Sequence, residues 1–296
     1  MRPSPGTRRT ESDAMARSDA LVKNEPPMLT FRASRGWTAL NLRDLWTYRE
    51  LLYFLVWRDI KVRYKQAVLG VAWAVLMPVV NIVIFSFVFG YLFHQNQGGV
   101  NYPLLSAAGL LPWGLFSGAL GRCSSSLVGN TNLITKVYFP RLIIPIASVL
   151  SGLVDFGISF LIVLSLMLFY RFPITWNMLW LLPLTVLVVI TALAVGLWLS
   201  ALNVLYRDVG YIVPFLITTW MYVSPVAYSA GLIQGRTRII YGLNPMAGVI
   251  QGFRWAIMGS NPPDVLFVVS IIMVTVLFIS GLFYFRRMER TFADTI

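Results

Sequence analysis

The chain has 296 residues, of which 57% are hydrophobic and only 12% are charged, and its mean hydropathy is +0.70. Soluble domains carry about 25% charged residues, so this composition leaves almost no room for a soluble enzyme or a largely disordered chain. The formal net charge is +12, but the charges lie at the edges of apolar runs, as membrane topology requires and nucleic-acid binding does not. The sequence therefore predicts an all-α integral membrane protein with no nucleic-acid partner.

Residue counts argue against catalytic and metal chemistry in this chain. It has one cysteine, Cys123, and one histidine, His94, which excludes an intrachain disulfide, a cysteine metal cluster and a multi-histidine site. No lysine follows a glycine, so the GxxxxGK[ST] loop that binds ATP phosphates is absent. Asp155 is the only acid well inside an apolar run, which disfavours ion-driven transport and paired-carboxylate catalysis. We predict a chain that is not an enzyme and binds no metal or cofactor.

The first 35 residues are polar and contain no apolar h-region, so we predict a disordered cytoplasmic tail at 1–35 rather than a signal peptide. Residues 291–296 are predicted to form a second cytoplasmic tail. Between residues 42 and 65, apolar residues recur at roughly helical spacing, with charged residues on the other side. This pattern predicts an amphipathic interface helix at 42–65 that lies along the membrane surface. The alternative is a helix packed on a soluble domain, which the neighbouring sequence does not offer.

Six apolar runs reach the roughly 20 residues that a membrane span needs at about 1.5 Å rise per residue. They lie at about 68–93, 104–128, 142–169, 178–202, 210–229 and 264–285. The second run contains Gly114 and Gly118, a GxxxG pattern typical of close packing between membrane helices. We therefore predict six transmembrane helices within one domain at 36–290.

The loops between these runs differ in charge. With the N-terminus inside, the cytoplasmic segments from residue 43 onward carry 12 lysines and arginines, and the outer segments carry four. The positive-inside rule therefore predicts both termini in the cytoplasm. The outer segment 230–263 fits least well, because it contains Arg236, Arg238 and Arg254.

That outer segment is also unusually apolar. Asn244 and Pro245 form a turn signal, and the stretch 247–258 that follows is an apolar run of about a dozen residues. A helix of this length is too short to cross the membrane, so we predict a re-entrant segment at 230–263. A plain outer loop is the alternative, although loops are rarely this apolar.

Aromatic residues are abundant, with 10 Trp, 13 Tyr and 19 Phe. Those at the ends of spans are typical of interfacial belts, and most aromatic stripes within a bundle are packing. A second group of aromatic residues lies within the first and fifth predicted spans and not only at their ends. Aromatic rings can stack on the apolar faces of sugars. A substrate path is therefore the alternative to packing for Phe85, Phe89, Phe93, Trp220, Tyr222 and Tyr228.

Asp155 needs a separate account, because a charged residue inside a membrane usually faces the bundle interior and is paired. Arg122 in the second span is its nearest plausible partner in the sequence. We predict a polar lock between the second and third spans, with a substrate contact as the alternative.

Several separated motifs occur in a fixed order between residues 40 and 290. They are the segments 57–66, 69–73 with Pro78, 132–134 with 139–141, 206–208, and 243–246 with 252–255. Together they resemble the ABC-2 type permeases that export polysaccharides, and the O-antigen branch at least as well as the capsule and teichoic acid branches. A drug or small-lipid permease of the same type is the runner-up. A membrane enzyme of polymer assembly is disfavoured, since no carboxylate pair is present.

The resemblance implies a homodimer with two separate ABC ATPase subunits, which bind the ATP and Mg²⁺. It implies export of undecaprenyl-diphosphate-linked polysaccharide across the plasma (inner) membrane. The first and fifth spans then line a central channel at the dimer interface, and Trp73 joins the aromatic residues of the path. Lys61, Arg63 and Lys65 lie where the first span leaves the cytoplasmic surface, where they attract lipid phosphates, the substrate diphosphate, or simply anionic headgroups as anchors.

The resemblance also implies two further groups of site residues. Cytoplasmic residues that dock on the ATPase are Arg58, Asp59, Lys136, Tyr138, Phe139, Arg141, Tyr206, Arg207 and Asp208. Aromatic residues and arginine are favoured anchors at interfaces, whereas the positive-inside rule alone accounts equally well for Lys136 and Arg141. The re-entrant segment 230–263 acts as an outer gate, with Asn244, Pro245, Met246, Arg254 and Trp255 as its residues.

Overall fold

The computed structural model describes residues 46–65, 70–92, 101–228, 237–260, 262–289, 291 and 292, all within one compact unit. Several predicted features lie outside the described residues. These are the tail 1–35, the first residues of the interface helix, Phe93, positions 230–236 and 261 of the gate segment and most of the tail 291–296.

All regular structure in the described ranges is helical. Helix α1 is Arg49–Lys65, and α2 is Gly70–Phe85, which continues as a π-helical stretch over Ser86–Leu92. The remaining helices are α3 Tyr102–Gly129, α4 Thr131–Lys136, α5 Ile143–Leu150, α6 Leu153–Phe169, α7 Leu181–Leu205 after a 3₁₀ turn at Trp176–Trp180, α8 Val209–Val223, α9 Thr237–Gly242, α10 Pro245–Met258 and α11 Val265–Met288.

Five helical stretches in the described part of the chain are long and apolar enough to cross a membrane: Ala72–Tyr91, Tyr102–Gly129, Ile143–Phe169, Trp176–Leu205 and Val265–Met288. They confirm the predicted all-α membrane class. Helix α8 is apolar but has only 15 residues, about 22 Å of helix against a hydrocarbon core of about 30 Å. It ends at Val223, and the next residue, Ser224, has an extended backbone because Pro225 follows. The fifth predicted span, at 210–229, therefore stays a prediction.

Helix α3 is the centre of the bundle. It packs against α2, α5, α6, α7, α8 and α10, and most extensively against α7. Small residues make this packing close, since Ala107, Ala108 and Ala119 are fully buried. At Gly196 on α7, an added Cβ would lie only 2.5 Å from the Cys123 sulfur on α3. The two helices thus approach more closely than a larger residue permits.

One end of the bundle brings both described ends of the chain together. An apolar cluster there joins Leu55 of α1, Phe139 after α4, and Phe285 and Phe292 in and after α11. We name this end of the bundle the basic end. The name refers to the basic residues that follow or flank the cluster, which are Lys136, Arg141, Arg207, Arg286 and Arg287. The shared position supports the prediction that both termini lie on one side of the membrane, while the cytoplasmic side itself stays a prediction.

The close helix contact predicted at Gly114 and Gly118 is wrong within one copy of the chain. An added Cβ at Gly114 would meet no atom within 4 Å, and one at Gly118 would first meet Arg122 of the same helix. The reason is that this face of α3 borders open space. Gly114 lines a cavity toward α2 and α6, and Gly118 lines a groove toward α8.

Replacing Gly196 by alanine is expected to destabilise the protein, because the new methyl group overlaps Cys123. Overpacking of this kind costs about 1–3 kcal/mol, so the midpoint of thermal unfolding in detergent should fall. Combining Gly196→Ala with Cys123→Ala should recover part of the loss. Gly157→Ala is the matched control, since an added Cβ there meets nothing within 4 Å. An equal effect at both glycines would contradict the packing described for α3 and α7.

Candidate functional site

Asp155, in the first turn of α6, lies at the centre of a charged cluster. Its carboxylate accepts hydrogen bonds from the Arg63 guanidinium and the Tyr64 hydroxyl, both in the last turn of α1. Arg122 of α3 places Nη1 3.5 Å from the same carboxylate, so the predicted pairing of Asp155 with Arg122 is present. Arg63 also donates to the Ser151 hydroxyl at 3.2 Å. One carboxylate thus connects α1, α3 and α6.

The sequence did not indicate Arg63 and Tyr64 as partners of Asp155. We predicted Arg63 to contact phosphate together with Lys61 and Lys65, and the structure leaves those two lysines exposed while Arg63 turns toward α6. No spacing rule relates α1 to a helix about 90 residues away. Burial, followed by the hydrogen bond to Asp155, raises the pKa of Tyr64 to about 12. The phenol therefore stays protonated and can donate at neutral pH.

A cavity of about 370 Å³ lies beside this cluster, between α2, α3 and α6. Arg122, Gly152 and Asp155 form part of its lining. Elsewhere the wall is mostly apolar and includes Met77, Pro78, Ile82, Phe85, Trp113 and Phe156. The cavity is therefore charged at Arg122 and Asp155 and largely hydrocarbon on its other sides.

The residues predicted to line a substrate path that the structure describes lie on α2, on α8 and in the segment after α8. Phe85 stacks on Phe89 with 5.7 Å between ring centroids, and Phe85 lines the cavity. Trp73 is 48% exposed and Tyr222 is 69% exposed. Their role in a path stays a prediction.

Trp220 and Tyr228 make contacts that hold the chain together. Trp220 packs edge-on against Phe116, with 5.2 Å between centroids, and its Nε1 donates to the Asn244 side chain at 2.9 Å. The hydroxyls of Tyr228 and Tyr241 are hydrogen bonded at 2.7 Å. Both residues thus contact the predicted gate segment.

The predicted gate residues lie in α10 and the turn before it. Asn244 caps α10, since its side chain accepts from the Met246 N–H at 3.1 Å, and it also donates to the Ser224 hydroxyl at 2.9 Å. Pro245 occupies the start of the helix, where its fixed φ is favourable. Trp255 packs against the main apolar core.

Arg254 ties α10 to the segment that follows α8. Its side chain is 5% exposed, and its guanidinium donates to the carbonyls of Val226 at 2.9 Å and Tyr228 at 2.7 Å. The Tyr102 hydroxyl donates to the carbonyl of the residue between them. An added Cβ at Gly109 would lie 2.7 Å from the Val226 oxygen, so this close approach requires glycine. Backbone carbonyls, rather than a carboxylate, therefore solvate this buried cation.

The position of α9 and α10 agrees with a segment that enters and returns. The chain after α8 contacts the start of α3. Gly252 of α10 lies against Leu184 and Phe267, near the starts of α7 and α11. The described residues on either side of the α9–α10 pair, 224–228 and 262–264, therefore lie toward the end opposite the basic end. A re-entrant arrangement at 230–263 is supported but stays a prediction.

The predicted coupling residues lie at the basic end in different settings. Lys136, Tyr138 and the turn 206–208 are exposed, whereas Phe139 is buried in the apolar cluster. The side chains of Arg58 and Asp59 pair with each other at 2.8 Å.

Arg141 fastens the α4–α5 loop to the end of α11. Its backbone N–H donates to the Glu289 carboxylate at 3.2 Å, and its guanidinium donates to the Glu289 carbonyl. The loop therefore moves only together with the C-terminal end of α11 or after these bonds break.

The fold and these contacts define a polytopic helical membrane protein with exposed polar loops at one end and the buried helix α10 toward the other. In the described ranges, no group of three or more His, Cys, Asp and Glu residues is placed to hold a metal ion. Residues 50–258 match the ABC-2 type transporter family, and the chain belongs to this family.

Relatives of this chain carry related names. It is 33% identical over 261 residues to the O-antigen export system permease protein RfbA of Myxococcus xanthus, covering 86% of this chain and 98% of the relative. It is 28% identical over 250 residues to a protein of the same name from Klebsiella pneumoniae, covering 83% and 95%. It is 24% identical over 211 residues to the polysialic acid transport protein KpsM of Escherichia coli, covering 68% and 78%. These matches confirm the family resemblance.

Replacing Arg254 by methionine is expected to release the segment after α8, because two backbone carbonyls lose their donor. Each lost bond costs about 1–3 kcal/mol, so hydrogen exchange at the amides of Ser224 and of residues 226–228 should accelerate by about tenfold or more. Arg171→Gln, in the turn after α6, is the control and should leave these amides unchanged. Unaltered exchange in the Arg254→Met protein would show that another contact holds the segment.

Proposed function

We propose that this chain is the membrane permease of an ATP-driven exporter that moves undecaprenyl-diphosphate-linked polysaccharide, with O antigen as the preferred cargo. The observation that carries the proposal is the 33% identity to an O-antigen export permease along 98% of that relative's length. Two further relatives are named for O-antigen and polysialic acid transport. These names favour a polysaccharide over a drug or small lipid, the runner-up.

ATP hydrolysis belongs to a separate subunit in this proposal. Membrane subunits of the ABC-2 type family are not catalytic, and this sequence has no phosphate-binding GxxxxGK[ST] loop. Two ABC ATPase subunits, with their ATP and Mg²⁺, would dock at the basic end. Lys136, Tyr138 and the turn 206–208 are exposed there, and aromatic and basic side chains are frequent anchors at protein interfaces.

A homodimer is part of the same proposal. Only 6% of the most apolar stretch of the span Ala72–Tyr91 is buried within the chain. Tyr211, Phe215 and Tyr222 of α8 are strongly exposed. These surfaces of α2 and α8 suit contact with a second copy, with a central path between the copies. The exporter would sit in the plasma (inner) membrane with the basic end and both termini in the cytoplasm.

Movement of the ATPase subunits can reach the membrane through the α4–α5 loop. Phe139 is buried in the apolar cluster, and Arg141 is bonded to Glu289. Helix α5 in turn packs against α1, α3 and α7. A displaced loop therefore shifts the helices that surround the cavity and, through α3, the helix pair at the opposite end.

Depletion of the chain tests the cargo. We expect undecaprenyl-diphosphate-linked polysaccharide to accumulate inside cells, measured by extraction and gel analysis, and to return to the surface when the chain is restored. Unchanged surface polysaccharide, together with altered sensitivity to a drug, would contradict the proposal in favour of the runner-up.

Tyr138→Ala combined with Tyr206→Ala is expected to weaken docking of the ATPase subunit. Loss of two interface aromatics costs about 2 kcal/mol or more, so the ATPase that co-purifies with tagged chain should fall by about tenfold. Trp176→Ala is the matched control, because Trp176 is an aromatic side chain that is 87% exposed away from the basic end. If the unaltered chain, the double variant and Trp176→Ala recover equal amounts of the ATPase, the docking surface lies elsewhere.

A further inference from the structure

The cluster around Asp155 holds more positive than negative charge. Arg63 and Arg122 share one carboxylate. The separation of 3.5 Å between Arg122 Nη1 and Asp155 exceeds the roughly 2.7–2.9 Å of a strong charge-assisted hydrogen bond. Arg122 also donates from Nε to the Ser148 carbonyl at 3.3 Å, which fixes its stem and orients its outer nitrogens. Its terminal nitrogens are therefore placed to bind a second anion.

The space beside these nitrogens suits an amphiphilic ligand. The cavity includes Arg122 and Asp155 in its lining, and its remaining wall is mostly apolar. Side chains of Arg122 and Asp155 are 28% and 35% exposed, so the charged groups are reachable from the cavity. A ligand with an anionic head and a hydrocarbon tail satisfies both parts of this lining, whereas a free polar sugar satisfies only one.

Gly152 keeps the Arg122 guanidinium in this position. An added Cβ at Gly152 would overlap Arg122 Nη2. Because the overlapping atom is the end of a flexible side chain, substitution at Gly152 would move the guanidinium without removing its charge. Gly152 therefore provides a way to alter the geometry alone.

We propose that this cavity binds the phosphate end of a membrane lipid at the Arg122 guanidinium, with Asp155 as the internal anion that holds Arg122 and Arg63 when the lipid is absent. The Arg122 guanidinium offers forked donors that match phosphate oxygens, and Arg63, bonded to the same carboxylate, adds a second positive charge. Lys61 and Lys65 lie exposed nearby on α1 and add positive potential that attracts an anionic head.

Two lipids share this chemistry. One is the diphosphate carrier of the cargo, and that assignment rests on the proposed function. The other is an anionic phospholipid of the bilayer, which would bind whatever the exporter carries. A binding measurement on the purified protein therefore tests the site even if the proposed cargo is wrong.

The test uses the full chain with its co-purifying subunits in detergent, and native mass spectrometry to titrate undecaprenyl diphosphate and phosphatidylglycerol. Arg122→Gln and Arg63→Gln should each weaken binding of the preferred lipid by about tenfold, since each removes one charged donor. Arg122→Lys should lose less, and Asp155→Asn should strengthen binding several-fold, about what one removed carboxylate repels. Arg171→Gln, far from the cavity, is the matched control.

Comparing the two titrated lipids shows which of them the site binds. A preference of about tenfold or more for the diphosphate lipid identifies the carrier, and equal affinity identifies bilayer phospholipid. Gly152→Ala keeps every charge and should still weaken binding, which separates the site from general electrostatic attraction. If Arg122→Gln, Arg63→Gln and Gly152→Ala elute as folded protein and bind both lipids as the control does, the proposal is wrong and the cluster is a structural lock alone.

Discussion

Hydrocarbon offers no hydrogen-bond partner, so an ionised side chain inside this bundle must find its partner in the protein. Asp155 does so through Arg63, Tyr64 and Arg122. Arg254 does so differently, through backbone carbonyls that the chain exposes after α8. Each solution brings distant segments into contact, and these two contacts lie toward opposite ends of α3. The pairing of Asp155 therefore holds α1 against α6 near one end of α3. The hydrogen bonds of Arg254 hold α10 against the segment after α8 near the other end.

Helix α3 connects these two regions physically. It supplies Arg122 to the charged cluster, and Tyr102 and Gly109 contact the segment after α8 that Arg254 holds. Its neighbour α7 is held close by small residues such as Gly196. A rigid central helix of this kind lets a displacement at the basic end reach the opposite end without passing through flexible loops. In the proposed exporter, such coupling would require two discrete arrangements of the helices that differ in their contacts with the ATPase subunits.

The sequence predicts much of this fold because long apolar runs and loop charges depend on local composition. The same holds for Asn244 as a helix cap, since cap chemistry is local. Features that depend on distant partners were harder to predict. Arg63 was predicted to contact phosphate. Its contact with Asp155 was not predicted, because nothing in the sequence relates the two residues. Gly114 was assigned to close packing, yet only the assembled bundle reveals that its face borders a cavity. The hydrogen bond from Trp220 to Asn244 was also not indicated by the sequence, and the path role of Trp220 stays a prediction.

The central claim is that the basic end faces the cytoplasm and that α9 and α10 return to the outer side. Cysteine labelling tests it directly, because the only native cysteine, Cys123, is buried and can be replaced by alanine. Single cysteines would be placed by Tyr138→Cys, Trp176→Cys and Ser260→Cys and exposed to a membrane-impermeant maleimide. We predict labelling of the first only in inside-out vesicles, and of the other two only in right-side-out spheroplasts. Labelling of Ser260→Cys from the same side as Tyr138→Cys would contradict the account.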